Sequence, residues 1–183
     1  MLKHALLGFL SYGPMTGYEL KQTMDGSTSY FWHAKQSQIY TTLKRMEQDG
    51  LVASEIEPQE KRPDRRVYSI NPAGQAMLRE WLDAPLLELD QRKELFLLKM
   101  FFSASVNKET LLTQLRLQRD LHQKRGEHYR NDVANNISVH DREGMHNAKD
   151  LLMWGTTLTF GQRYEAMYVD WLDDLIELVE TNF

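Results

Sequence analysis

Gln36-Ser-Gln-Ile-Tyr40-Thr-Thr-Leu-Lys-Arg-Met-Glu-Gln-Asp-Gly50-Leu-Val-Ala-Ser-Glu-Ile-Glu57, with Val67-Tyr-Ser-Ile70 ten residues on, decides the fold. The first part has helical spacing. At ~100° per residue, Ile39, Leu43 and Met46 share one side of a helix from about Gln36 to Asp49. Gly50 stands where a helix closes in the left-handed conformation. The period then changes. Leu51–Glu57 and Val67–Ile70 read as strands. Between them Pro58-Gln59-Glu60-Lys61-Arg62-Pro63-Asp64-Arg65 is polar and turn-forming, so the pair makes a hairpin with an exposed tip. Asn71-Pro72-Ala73 opens another helix, with Asn71 as N-cap and Pro72 in the first turn. Met77, Leu78, Trp81 and Leu82 carry it to Pro85.

Upstream, Leu2, Leu6, Phe9 and Leu10 repeat at helical spacing until Gly13-Pro14. Thr16-Gly17-Tyr18-Glu19 fits a capping box, and Leu20 and Met24 continue that helix to Asp25-Gly26-Ser27. A turn-like stretch with Tyr30-Phe31-Trp32 follows. Three helices and a hairpin in this order form a winged helix-turn-helix.

Downstream of Pro85 there is no strand signal. Helices are predicted at about 88–105, 108–138 and 146–181. The last carries Gly161, Tyr164, Tyr168, Trp171, Leu175 and Leu178, spaced 3-4-3-4-3. That is an a/d seam, which a lone helix cannot bury, and it predicts a homodimer. The expected fold class is mainly α with a small β-hairpin: a winged helix-turn-helix DNA-binding domain over residues 1–84 and an α-helical dimerisation domain over 85–183.

Length and composition agree with two small domains. The chain has 183 residues, 42% hydrophobic and 26% charged, which excludes collagen-like and wholly disordered classes. Zero Cys excludes a disulfide framework, a thiolate zinc site and a thiol nucleophile, and fits a reducing cytoplasm. No run reaches the ~18 apolar residues of a membrane span. The apolar start ends at Gly13-Pro14 without a small-residue cleavage site, so no secretory leader is expected. Net charge is −4. Residues 1–84 hold ten basic and ten acidic side chains, and the remaining twelve basic and sixteen acidic ones fall in 85–183, so the whole −4 sits there. Within the neutral half, Lys61, Arg62, Arg65 and Arg66 cluster within six residues.

Opposite its apolar side, the 36–49 helix carries Ser37, Thr41, Lys44 and Gln48, flanked by Gln38, Tyr40 and Arg45. Short polar groups with Lys and Arg reach base edges, and hydroxyls and cations hold phosphate oxygens. Any amphipathic helix has a polar face, so the helix alone is weak evidence. The hairpin strengthens it: a basic tip stiffened by Pro63 suits contact with a phosphate backbone. Thr41 and Lys44 are the expected base readers, and Arg62 and Arg65 the expected phosphate contacts.

Ser37-Gln-Ile-Tyr40-Thr-Thr-Leu-Lys-Arg-Met-Glu-Gln-Asp-Gly50-Leu-Val, then Asp64-Arg-Arg-Val-Tyr-Ser-Ile70-Asn-Pro-Ala-Gly74, resembles the PadR family of winged-helix transcriptional regulators. Ala5-Leu-Leu-Gly8 and Thr16-Gly-Tyr-Glu-Leu20 agree. Tyr30-Phe-Trp, Glu57-Pro-Gln-Glu60 and Pro63-Asp-Arg65 are more similar to the subgroup containing the virulence gene activator of vibrios. The match covers about the first 84 residues and is looser beyond, where Glu94–Phe101 and the aromatic last helix suit that subgroup's α-helical C-terminal domain. The resemblance implies a homodimer whose C-terminal helices clasp the other subunit. It also implies two winged helices presented to a pseudo-palindromic operator, with Tyr18 and Tyr40 near the phosphates. Thr16 replaces the His that many relatives carry, a small change because Thr caps well.

Other constellations are weak. His122 and His128 point to different helix faces, His140 and His146 are off helical register, and there is no H-E-x-x-H, so no metal is expected. Gly8 to Gly13 has P-loop spacing, but Pro14 stands where Lys is required. No Gly-x-Ser-x-Gly is present, and neither catalysis nor a cofactor is expected. Tyr30, Phe31, Trp32, Trp154, Phe160, Tyr164, Tyr168 and Trp171 read first as core and dimer packing. A small aromatic effector is the alternative, since some members of the family bind one at the dimer interface. The competing function class is a winged-helix protein-interaction module that dimerises without binding DNA specifically.

Overall fold

Helices too short to persist alone open the chain, and shared apolar faces hold them. In the computed structural model, which describes residues 1–29, 31–58, 64–89, 93–135, 137 and 147–183, the chain divides into two units, Met1–Leu89 and Asp90–Phe183. In the first, α1 (Leu2–Leu10), α2 (Gly17–Ser27) and α3 (Gln36–Gln48) have 9, 11 and 13 residues. Isolated helices below ~12–15 residues are marginal in water. Leu6, Leu7 and Leu10 of α1, Leu20 and Met24 of α2, and Ile39, Leu43 and Met46 of α3 are all buried in one core. Burying such side chains fully contributes about 1.5–3 kcal/mol each, which outweighs helix propensity.

Gly50 takes φ 71 after α3, as its C′ position requires. Strands β2 (Val52–Glu57) and β3 (Arg65–Ile70) then pair antiparallel, from Val52↔Ile70 to Glu57↔Arg65. A third strand, β1 (Met15–Thr16), lies on the far edge of β3, giving the order β1-β3-β2. Two residues are too few to show alternation, so β1 is invisible in sequence. Helix α4 (Pro72–Asp83) closes the unit. Asn71 does not cap it through its side chain. The Asn71 carboxamide instead donates to the Gly50 carbonyl at 3.1 Å, tying the start of α4 to the turn after α3.

The second unit is helical. The helix predicted at 88–105 is shorter: α5 runs Leu95–Phe101, followed by a 3₁₀ turn at Ser103–Ser105. The described residues before it are not helical, and Glu94 accepts from the Tyr164 hydroxyl at 2.8 Å. Asn107 caps α6 (Lys108–His128), which widens into a π turn at Tyr129–Val133. Tyr129 and Val133 are both buried there. Asn147 caps α7 (Ala148–Asn182), accepting from the amides of Lys149 and Asp150. Leu111, Leu112 and Leu115 of α6 pack with Tyr168, Leu172 and Val179 of α7, and Phe96 and Met100 of α5 cover them.

Candidate nucleic-acid interface

The burial of α3 follows its sequence. With Ile39, Leu43 and Met46 inside, Ser37, Gln38, Tyr40, Thr41, Lys44, Arg45 and Gln48 are all exposed. Gln38 caps the start of α3 from within, its Oε1 accepting the Lys35 amide at 2.9 Å. Thr41 donates its hydroxyl to the Ser37 carbonyl at 2.9 Å, which fixes its rotamer and leaves the methyl and hydroxyl oxygen outward. Lys44 and Arg45 pair with no described residue, so two cations stand free on this face.

Helix α2 is set against α3 through a close approach. A Cβ on Gly17 would lie 2.6 Å from Cε1 of Tyr40, so only glycine lets the ring lie flat there. Tyr40 keeps nearly half its surface in solvent, and Tyr18 more than half. The Tyr18 hydroxyl accepts from Gln22 at 3.0 Å. Both tyrosines thus stand exposed, Tyr18 in the first turn of α2 and Tyr40 on α3 against Gly17. The capping box at Thr16 is as the sequence predicts: Thr16 Oγ1 accepts the Glu19 amide at 3.1 Å, and Glu19 Oε2 accepts the Thr16 amide at 2.8 Å.

The wing differs from the sequence reading. Strand β3 begins at Arg65, two residues earlier than the apolar pattern suggests, so Arg65 and Arg66 belong to the ladder rather than to a loop. They point to opposite faces and each meets a carboxylate. Arg65 Nη2 donates to Glu19 Oε1 at 2.6 Å, and Arg66 Nη2 to Glu47 Oε2 at 3.1 Å. Glu19 was visible as a capping residue, but its second oxygen had no sequence signal. The Thr16 backbone N–H, and behind it the Arg65 guanidinium, hold the Glu19 carboxyl below its ordinary range. Lys61, Arg62 and Pro63 lie outside the described residues, as does Tyr30.

In the second unit the aromatic seam packs largely on its own chain. Gly161 and Tyr168 are buried, Tyr164, Trp171 and Leu175 are half-buried, and Leu178 is exposed. Tyr168 stacks on His122 of α6 at 3.9 Å and meets Trp171 edge-on at 5.4 Å. The buried stripe is Leu158, Gly161, Glu165, Tyr168, Leu172 and Val179, and of the predicted seam Gly161 and Tyr168 are buried while Tyr164, Trp171 and Leu175 pack partly against the same unit without a second chain. Sequence reading missed Glu165. Its carboxylate is buried and meets His122 Nδ1 at 2.5 Å. A charged residue gives no periodic apolar signal. Among the described residues, no group of His, Asp or Glu has the arrangement of a metal site.

Known proteins share this architecture. The model of the PadR-like family of transcriptional regulators matches residues 6–80, and the model of the virulence activator α C-terminal domain matches residues 92–180. Each of the two units thus resembles part of a known transcriptional regulator, the first the PadR-like family and the second the virulence activator. The negative transcriptional regulator PadR of Bacillus subtilis is 25% identical over all of this chain and 99% of its own. Its structure in complex with operator DNA has a TM-score of 0.80 at 23% identity, covering 97% of this chain and 98% of that one. The Vibrio cholerae virulence activator AphA has a TM-score of 0.71 at 26% identity, covering 99% of both chains. A probable transcriptional regulator of Mycobacterium tuberculosis is 42% identical over 85 residues, 46% of this chain. That match spans 45%, about half, of the mycobacterial protein. The PadR-like match covers the helix-turn-helix and wing, and the second match covers α5 to α7. No described helix is long and apolar enough to cross a membrane.

Proposed function

We propose that this PadR-like regulator binds duplex DNA with sequence preference, as a cytoplasmic homodimer with no catalytic activity of its own. The observation that carries the reading is the outer face of α3, where Lys44 and Arg45, unpaired among the described residues, are exposed with Thr41, Tyr40 and Ser37. Thr41 and Lys44 sit centrally and read base edges. Arg45, Tyr40 and Tyr18 hold phosphate oxygens with Ser37 and Gln38, and Arg62 and Arg65 extend the contact along the wing. Residues 1–84 are the DNA-binding domain and 85–183 the dimerisation domain.

The homodimer follows from apolar surface left uncovered. Phe96 and Met100 of α5 pack inward, while Leu95, Leu97, Leu98, Phe101 and Phe102 of the same short stretch are exposed. Exposed apolar surface of this kind marks an interface. A second copy, contacting α5 and the exposed edge of α7 that ends in Leu178, covers it. Two α3 helices in such a dimer suit half-sites ~34–36 Å apart. Because the Bacillus relative was also solved with p-coumaric acid, small aromatic acids are the effector class to screen first.

Selection of bound fragments from genomic DNA, followed by titration of the selected duplex, tests the reading. Thr41→Ala with Lys44→Ala is expected to cost about 1–3 kcal/mol per lost base contact and to relax preference at those positions. Unchanged affinity and preference would show that α3 is not the reader. Failure to select any fragment would favour the protein-interaction module.

A further inference from the structure

Strand β3 is tied to the helix-turn-helix on both of its faces. Arg65 reaches back to α2, where Glu19 Oε1 accepts from its Nη2 at 2.6 Å. Glu19 is not free to follow a moving partner, because its other oxygen holds the Thr16 amide at 2.8 Å. Arg66 turns the other way and donates to both oxygens of Glu47 on α3, at 3.3 and 3.1 Å, and from Nε to Ser54 Oγ at 2.8 Å. The Ser54 hydroxyl in turn donates to Glu47 Oε1 at 2.5 Å, and the guanidinium carbon of Arg66 lies 5.7 Å from the centre of the Tyr68 ring. Neither pair is needed to hold the sheet, which is secured by the six-residue ladder and by burial of Val52 and Tyr68. Half-exposed ion pairs contribute little to stability.

A surface selected only for attraction to phosphate would not place carboxylates beside the wing's arginines. Each carboxylate weakens the local positive field. In exchange it fixes a planar fork that otherwise samples many rotamers. A guanidinium has five N–H donors, and Glu19 takes one from Arg65, so the rest stay available in a set direction. We propose that Glu19 and Glu47 are positioning residues for the wing: Glu19 aims Arg65 at the DNA backbone, and Glu47 pins Arg66, and with it the strand, in register with α3. This inference rests on the DNA-binding reading above. It predicts opposite effects on two kinds of DNA. Removing the carboxylates leaves non-specific binding as strong or stronger, while preference for the operator falls.

The test uses the full chain with Glu19→Gln, Glu47→Gln and both together. Glutamine keeps an oxygen that accepts the Thr16 amide and the Ser54 hydroxyl, so cap and fold are retained. Binding is titrated by fluorescence anisotropy against the duplex selected by the wild type and a scrambled duplex of equal length. The double variant is expected to bind the scrambled duplex at least as tightly as the wild type and to lose about tenfold in operator preference. Arg65→Lys with Arg66→Lys, which keeps charge but loses the fork, is expected to show the same loss. A folded double variant whose preference stays within twofold of the wild type overturns the inference, as does full preference in the lysine variant. A wild type that prefers no duplex overturns the DNA-binding reading itself, a separate result.

Discussion

Gly74 is a residue where sequence alone is silent and geometry is strict. A Cβ there would lie 2.3 Å from the Leu51 carbonyl oxygen, a backbone atom that also accepts the Asn71 amide at 2.9 Å and so has no room to give. Gly74→Ala is therefore expected to destabilise the first unit by about 1–3 kcal/mol through overpacking, read as a lower urea midpoint. His4 makes a different prediction. Its ring stacks on Trp81 with centroids 4.9 Å apart, and its buried Nδ1 has no hydrogen-bond partner among the described residues. Desolvation, and then Lys3 and the N-terminal amine, push the imidazole below its ordinary value of 6.5. The folded state thus favours neutral His4 and the unfolded state binds the proton more readily. Its contribution is intact above pH 6.5 and is lost as pH falls through the lower folded value. His4→Phe keeps the stack, and the midpoint of the variant should fall less than that of the wild type between pH 7 and pH 5. An equal fall in both would place the titration elsewhere.

At the scale of elements, α5 carries the sharpest expectation. Seven residues are too few for a free-standing helix, and α5 is held by Phe96 and Met100 and by the Glu94–Tyr164 hydrogen bond at its start. Its outer residues have nothing apolar to gain in water, yet Leu95, Leu98, Phe101 and Phe102 are there. Leu98→Glu with Phe101→Glu leaves the inner contacts intact and should convert a dimer to a monomer in light scattering, with the helical content of the second unit preserved. A wild type that is already monomeric at micromolar concentration would remove the reason for the outer face. For α2 the expectation rests on its cap. Thr16→Ala deletes the oxygen that receives the Glu19 amide, at a cost of about 1 kcal/mol.

For the whole molecule, charge decides how DNA is met. A chain of net charge −4 does not bind DNA through its average field. It needs local cations on a neutral background, and Lys44 and Arg45 on α3 are unpaired among the described residues. Each phosphate contact adds ~0.9 to the slope of log affinity against log salt. In a dimer Arg45→Ala removes one contact from each subunit, so the slope should flatten by roughly two units for operator and scrambled duplex alike. A slope unchanged in a folded variant would take Arg45 off the phosphate backbone.

Apolar spacing was sufficient to place α1 to α4, the hairpin and the outward face of α3, because each has a period that only one kind of element satisfies. Ile39, Leu43 and Met46 predict their own burial, and so they predict which residues stay outside. Thr16 with Glu19 announces a helix start, and Gly50 a helix end. Beyond Pro85 the same reasoning reached the helical class but not the boundaries of α5. It also gave the 161–178 stripe to a partner chain, where residues of α5 and α6 pack against much of it. Periodicity says that a face is apolar and is silent on what lies against it. The partners of Arg65, Arg66 and Glu165 were equally out of reach. Arg65 and Glu19 are 46 residues apart and His122 and Glu165 are 43 apart, and no local rule joins them. Such pairs exist only once the core has brought two elements together, so tertiary structure alone decided them.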